Sequence, residues 1–106
     1  MAEMSKSKMF LGGEWVAPLT GDYFESHNPY TGKPWLMVGR GGEEDANRAV
    51  EAAKKAFHNP EWRDLTPTAR GHLLRKLGDL IAENAEALAK VEVQDNGKLF
   101  AEMHLQ

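Results

Sequence analysis

Cysteine is absent from these 106 residues, which excludes a disulfide, a thiolate zinc site and a cysteine nucleophile among them. An excess of basic charge is missing as well: thirteen Lys and Arg stand against sixteen Asp and Glu, for a formal net charge of −3. The cations are scattered, so there is no electrostatic footprint for nucleic acid. No run approaches the roughly 18 apolar residues of a membrane span. The start, Met1-Ala2-Glu3-Met4-Ser5-Lys6-Ser7-Lys8, lacks the apolar core of a secretory signal, and a cytoplasmic location is expected. Repeats and low-complexity tracts are also lacking. What is present, 42% hydrophobic and 27% charged residues, is an ordinary globular composition with enough length for one modest core.

Residues 1–8 are small, polar and charged, and are expected to form a disordered leader, with order beginning at Met9 and running as one unit over 9–106. Met9-Phe10-Leu11 and Glu14-Trp15-Val16 flank Gly12-Gly13, a pair that tolerates the positive φ of a tight hairpin turn. A second hairpin is expected from Tyr23–His27 and Trp35–Val38 around the turn formers of Asn28-Pro29-Tyr30-Thr31-Gly32-Lys33-Pro34. From Glu43 the period changes. Ala46, Ala49, Val50, Ala53, Ala56 and Phe57 recur at three- and four-residue steps and predict an amphipathic helix. Glu43-Glu44-Asp45 lies at its positive end and Lys54-Lys55 near its negative end.

A loop is expected over residues 58–65. Thr66-Pro67 then opens a second helix as N-cap and first helical residue. Leu73, Leu74, Leu77, Leu80 and Ile81 form its expected buried stripe, with Arg70, Arg75, Lys76, Asp79 and Glu83 on the wet side. After Asn84 a third helix, or a continuation, carries Ala85, Leu88, Ala89 and Val91 to Gly97, which is placed to stop it as a left-handed residue. The stretch from Leu99 to Leu105 reads as a further helix just starting, and a natural domain is not expected to stop there. Two thin hairpins cannot cover the apolar faces of three helices, so the expected partner is a larger sheet supplied by residues beyond Gln106.

Few residues point to chemistry. His27, His58, His72 and His104 are dispersed and follow no metal-ligand spacing. Gly39-Arg40-Gly41-Gly42 opens a helix after a strand but lacks the G-x-G-x-x-G spacing and places three acids where a phosphate would sit. Arg70 and Arg75 read as solvated helix residues, and Trp15, Trp35 and Trp62 as packing anchors. Asp95-Asn96-Gly97-Lys98 combines an acid with a glycine cap; it could help to hold a cation, but on mechanism alone it reads as a helix C-cap.

Five segments in order carry a resemblance: Phe10-Leu11-Gly12-Gly13-Glu14-Trp15-Val16, Asn28-Pro29-Tyr30-Thr31-Gly32, Ala49 to Phe57 ahead of Trp62, Arg70 before Leu73-Leu74, and Asp95-Asn96-Gly97-Lys98. Together they resemble the N-terminal region of the NAD(P)-dependent aldehyde dehydrogenase superfamily. The resemblance implies an α/β fold, namely the N-terminal part of a cofactor-binding domain: two β-hairpins followed by three helices, incomplete without a downstream Rossmann-like sheet.

It also implies a parent enzyme, a homo-oligomer using NAD or NADP, in which a cysteine thiolate attacks the aldehyde, hydride passes to the nicotinamide, and a glutamate activates water against the thioester. By that resemblance the catalytic and cofactor-holding residues lie outside this chain, which is expected to be inactive and to bind no cofactor alone. The resemblance places a possible monovalent cation near the carbonyls of Ser26 and His27 and the carboxylate of Asp95. Leu99 stands where the family commonly has proline, and Trp35-Leu36-Met37 is bulkier than its usual short aliphatic strand, so the aldehyde stays open. Two alternatives remain beside this reading: a truncated, non-catalytic relative acting as a subunit-binding module, and an independent nucleotide-binding module.

Overall fold

A computed structural model describes residues 3–105. The chain forms two compact units: residues up to His27 with Pro34–Arg63, and Asn28–Lys33 with the residues from Asp64 onward.

In the first unit the glycine-paired hairpin forms as its sequence requires. Strands β2 (Met9–Leu11) and β3 (Glu14–Val16) run antiparallel with Phe10 opposite Trp15. Gly12 and Gly13 take φ of 62° and 84°, the double positive φ of a turn whose twist matches the strands. The Phe10 and Trp15 rings lie 5.0 Å apart, tilted by 55°, a favourable cross-strand aromatic pair. The second hairpin also forms, from β4 (Tyr23–Asn28) and β5 (Lys33–Gly39).

Its sheet holds a third strand. Strand β1 (Lys6–Ser7) pairs in parallel with β5, Lys6 opposite Met37 and Ser7 opposite Val38, and Met37 N–H donates to the Ser5 carbonyl over 3.0 Å. The disordered leader expected over residues 1–8 therefore does not reach Lys6. Composition predicts disorder when a segment has no apolar surface to bury; these residues are held by main-chain bonds to β5, which need no particular side chains. Met1 and Ala2 lie outside the described residues.

Helix α1 (Glu43–His58) starts and ends where its period predicts. Its small residues meet the β2–β3 turn: a Cβ at Gly12 would sit 3.7 Å from Ala52 Cβ. Val50 and Phe57, expected on the buried face, are instead exposed, at 67% and 68%. The expected loop over 58–65 contains one short helix, α2 (Pro60–Arg63). Asn59 Oδ1 accepts from Glu61 N–H at 3.0 Å, and the Asn59 carbonyl accepts from Trp62 and Arg63 N–H at 3.0 and 2.8 Å. Asn59-Pro60 thus repeats the cap-then-proline signal of Thr66-Pro67.

In the second unit Thr66 Oγ1 accepts from Ala69 N–H at 3.2 Å and caps α3 (Pro67–Glu83). Asn84 interrupts the helical run: its Nδ2 donates back to the Leu80 carbonyl at 2.8 Å, and α4 (Ala85–Asn96) restarts after it. Helix α5 (Phe100–Leu105) packs on α4, and Ala89 and Met103 are buried there. The leucine stripe of α3 is the main departure. Leu73, Leu74, Leu77, Leu80 and Ile81 are all exposed, Leu74 by 67%. Periodicity predicts which face of a helix is apolar; whether that face is covered depends on what packs against it, and no described residue covers this one.

Candidate functional site

Asp45 is a buried acid of the first unit bonded to two main-chain donors. It occupies the first turn of α1 and is only 5% exposed. Its Oδ2 accepts from Gly42 N–H at 3.0 Å, and its Oδ1 accepts from Leu19 N–H at 3.2 Å. One carboxylate thereby satisfies an orphan donor at the helix start and pins the segment around Leu19 to it. That occupancy also disposes of a phosphate at Gly39-Arg40-Gly41-Gly42, because the anion at this helix start is the protein's own. From sequence Asp45 reads only as a dipole acid and its burial is not evident, although an acid three residues after Gly42 has the spacing of a reach-back bond.

The residues named for a monovalent cation fall in different units. Ser26 and His27 are consecutive on β4, Ser26 half-buried and His27 exposed. The His27 imidazole Nε2 lies 3.6 Å from Glu25 Oε2, with both side chains about half exposed, a pair of little energetic weight. Asp95 is exposed in the last turn of α4, in the second unit. Among the described residues no three His, Cys, Asp or Glu side chains are grouped to hold a metal ion.

Around Asp95 the cap is fully formed. Gly97 has φ 74° and donates its N–H to the Val93 carbonyl at 2.9 Å. Asn96 Oδ1 accepts from Lys98 N–H at 2.9 Å, and Asn96 Nδ2 donates to Glu92 Oε1 at 3.4 Å. The Asn-Pro turn lies against this cap, since a Cβ at Gly97 would stand 2.7 Å from Pro29 Cγ. The turn is itself tied locally: Asn28 Oδ1 accepts from Tyr30 N–H at 2.9 Å, and the Asn28 carbonyl accepts from Gly32 N–H at 2.8 Å. Two of the five segments that carry the resemblance are thus packed on each other.

Other expectations shift. Arg70, expected on the wet face of α3, is half-buried; its long stem covers neighbouring surface. Trp35 is half-buried on β5, whereas Trp15, paired with Phe10, and Trp62 are exposed, at 66% and 42%. The open grooves of the first unit border α1: one is lined by Phe10, Gly13, Ala49 and Ala56, another by Leu11, Arg48, Glu51 and His58. Neither gathers a nucleophile with a base.

The aldehyde dehydrogenase family model matches residues 15–106. The chain belongs to the aldehyde dehydrogenase family. It is 44% identical over 96 residues to an aldehyde dehydrogenase of Aspergillus niger, covering 91% of this chain and 19% of the relative. The fold agrees with the N-terminal part of solved family members. An aldehyde dehydrogenase of Bacillus cereus superposes with a TM-score of 0.88 at 42% identity, over 92% of this chain and 20% of that one. A betaine aldehyde dehydrogenase of Staphylococcus aureus, solved with NAD+, gives 0.88 at 36% identity over 93% and 20%. This chain therefore spans about a fifth of the length of the family members it matches. No helix among its described residues is long and apolar enough to cross a membrane.

Proposed function

We propose that these residues serve as the scaffold of the cofactor-binding domain in an aldehyde dehydrogenase that oxidises an aldehyde to a carboxylic acid with NAD or NADP. In this reading residues 9–106 supply hairpins and helices, and the nucleophile, the water-activating carboxylate and the groups that hold the dinucleotide come from the other four-fifths of the enzyme, which acts as a homo-oligomer in the cytoplasm. The observation that carries it is the apolar row of α3. Leu73, Leu77, Leu80 and Ile81 remain about half exposed on a helix with well-formed ends, and burying such a row is worth roughly 1.5–3 kcal/mol per fully covered side chain. The solved relatives support this reading, since they align with this chain over only a fifth of their own length.

A chimera tests the proposal. The matching fifth of the Bacillus cereus enzyme is replaced by this sequence, and NADH formation from an aldehyde is followed by absorbance. Retained dehydrogenase activity in the chimera, with none from the 106 residues alone, is the expected result. A soluble, oligomeric chimera without activity, or dehydrogenase activity in the isolated chain, overturns it.

A further inference from the structure

Asn96-Gly97 is the single Asn-Gly pair in the sequence. Of the other asparagines, Asn28 and Asn59 precede prolines, Asn47 lies inside α1, and Asn84, between α3 and α4, is followed by Ala85, whose Cβ shields its nitrogen. An asparagine followed by glycine is open to attack by the next backbone nitrogen, because no Cβ shields that nitrogen. In that reaction the Gly97 nitrogen bonds to Asn96 Cγ and the bond from Cγ to the side-chain nitrogen breaks. The side-chain nitrogen leaves as ammonia, carrying the proton from Gly97. Water then opens the cyclic imide at either carbonyl, leaving aspartate or isoaspartate at position 96. No oxidant or reductant is involved.

The fold both requires this weak point and holds it shut. Glycine is required at 97 because φ is 74° and a Cβ would lie 2.7 Å from Pro29 Cγ. The attacking nitrogen is meanwhile engaged, since Gly97 N–H donates to the Val93 carbonyl at 2.9 Å. The target side chain is held from both ends, its Oδ1 by Lys98 N–H and its Nδ2 on Glu92 Oε1. Ring closure needs all three bonds released and Asn96 out of its helical conformation.

We propose that Asn96 is a deamidation site gated by the α4 C-cap: closed while the cap is formed and opened when the last turn of α4 unravels. The product weakens the cap that had restrained the reaction. A carboxylate at 96 loses the donor to Glu92 and adds negative charge beside Glu92 and Asp95 at the negative end of the helix, where it is unfavourable. Each deamidated molecule re-forms its cap less well. The inference rests on the cap alone and does not depend on the proposed dehydrogenase role.

The experiment incubates the 106-residue chain at mildly alkaline pH, in native buffer and in guanidinium chloride. Isoaspartate at 96 is quantified by peptide mapping and by labelling with an isoaspartyl methyltransferase. In denaturant Asn96 is expected to be the fastest asparagine to react, and Gly97→Ala in denaturant slows it. In native buffer the rate is expected to fall roughly tenfold or more, the factor set by about 1.4 kcal/mol of local opening. Pro29→Ala, which removes the ring packed on the cap without creating a second Asn-Gly pair, raises the native rate towards the denatured one while Asn47 stays intact. Equal rates in native buffer and denaturant overturn the proposal, as does a denatured chain in which Asn96 is no faster than Asn47.

Discussion

Pro29 and Gly97 are fitted to each other. The nearest approach of the Pro29 ring to the place a Cβ would occupy at 97 is 2.7 Å, well inside contact distance, and Gly97 itself has φ 74°. Two motifs nearly seventy residues apart, an Asn-Pro turn and a helix C-cap, are therefore one packing unit.

Gly97→Ala meets two penalties, a left-handed backbone and a clash. Together they are expected to cost about 1–3 kcal/mol. Pro29→Ala in the same chain removes the clash but leaves the backbone strain, so the double variant recovers part of the loss. Urea titration of the four-member cycle checks this, and a Gly97→Ala chain as stable as the parent rules out the fit.

Removing the Asp45 carboxylate strands two main-chain donors, Leu19 N–H and Gly42 N–H. Asp45→Ala is expected to destabilise the first unit by about 2–3 kcal/mol, in line with buried bonds to a charged acceptor. Asp45→Asn keeps one acceptor oxygen and lies between. Chemical denaturation followed by tryptophan fluorescence measures both.

At the start of α3, Thr66→Ala removes the cap on Ala69 N–H at a cost of about 1 kcal/mol, whereas Thr66→Ser keeps it. Loss of helical circular dichroism at lower denaturant in the alanine variant only is the expected pattern.

Glu86 has its pKa lowered, first by the hydrogen bond from Lys90 and then by that residue's charge, across a 2.7 Å contact between Lys90 Nζ and Glu86 Oε1. A depressed carboxylate pKa means that the contribution is present above the ordinary glutamate range and is lost as pH falls through the lowered value. Both side chains are about two-thirds exposed, so salt weakens the pair. Carboxyl chemical shifts in an NMR titration are expected to place the Glu86 midpoint below that of an ordinary glutamate. Lys90→Gln moves it back up.

The exposed α3 row gives a prediction with opposite outcomes in two settings. Leu74→Glu, at a side chain 67% exposed, changes the stability of the isolated chain by within about 0.5 kcal/mol. In the chimera with the rest of a dehydrogenase the same change buries an unpaired charge and is expected to abolish soluble assembly. Equal tolerance in both settings contradicts the scaffold role.

Local features were legible because their physics is local. The three- and four-residue period from Ala46 to Phe57, the hydroxyl of Thr66 before Pro67, the paired turn glycines and the stop at Gly97 each act within a few residues. Even α2 was written locally, in Asn59-Pro60, by the same chemistry. Of the candidate site, the C-cap around Asn96 and Gly97 was readable. The burial of Asp45 was not, because it depends on Leu19, a residue 26 positions away.

The sequence by itself determined where helices begin and end, which faces are apolar and, through five ordered segments, the family. The tertiary structure alone decided three further things: that Lys6–Ser7 joins a sheet through β5, that the Asn-Pro turn rests on the α4 cap, and that the α3 leucines stay exposed. The physical reason is range. Caps, turns and periodicity are settled between near neighbours, whereas strand pairing, close packing and burial depend on which distant surfaces meet.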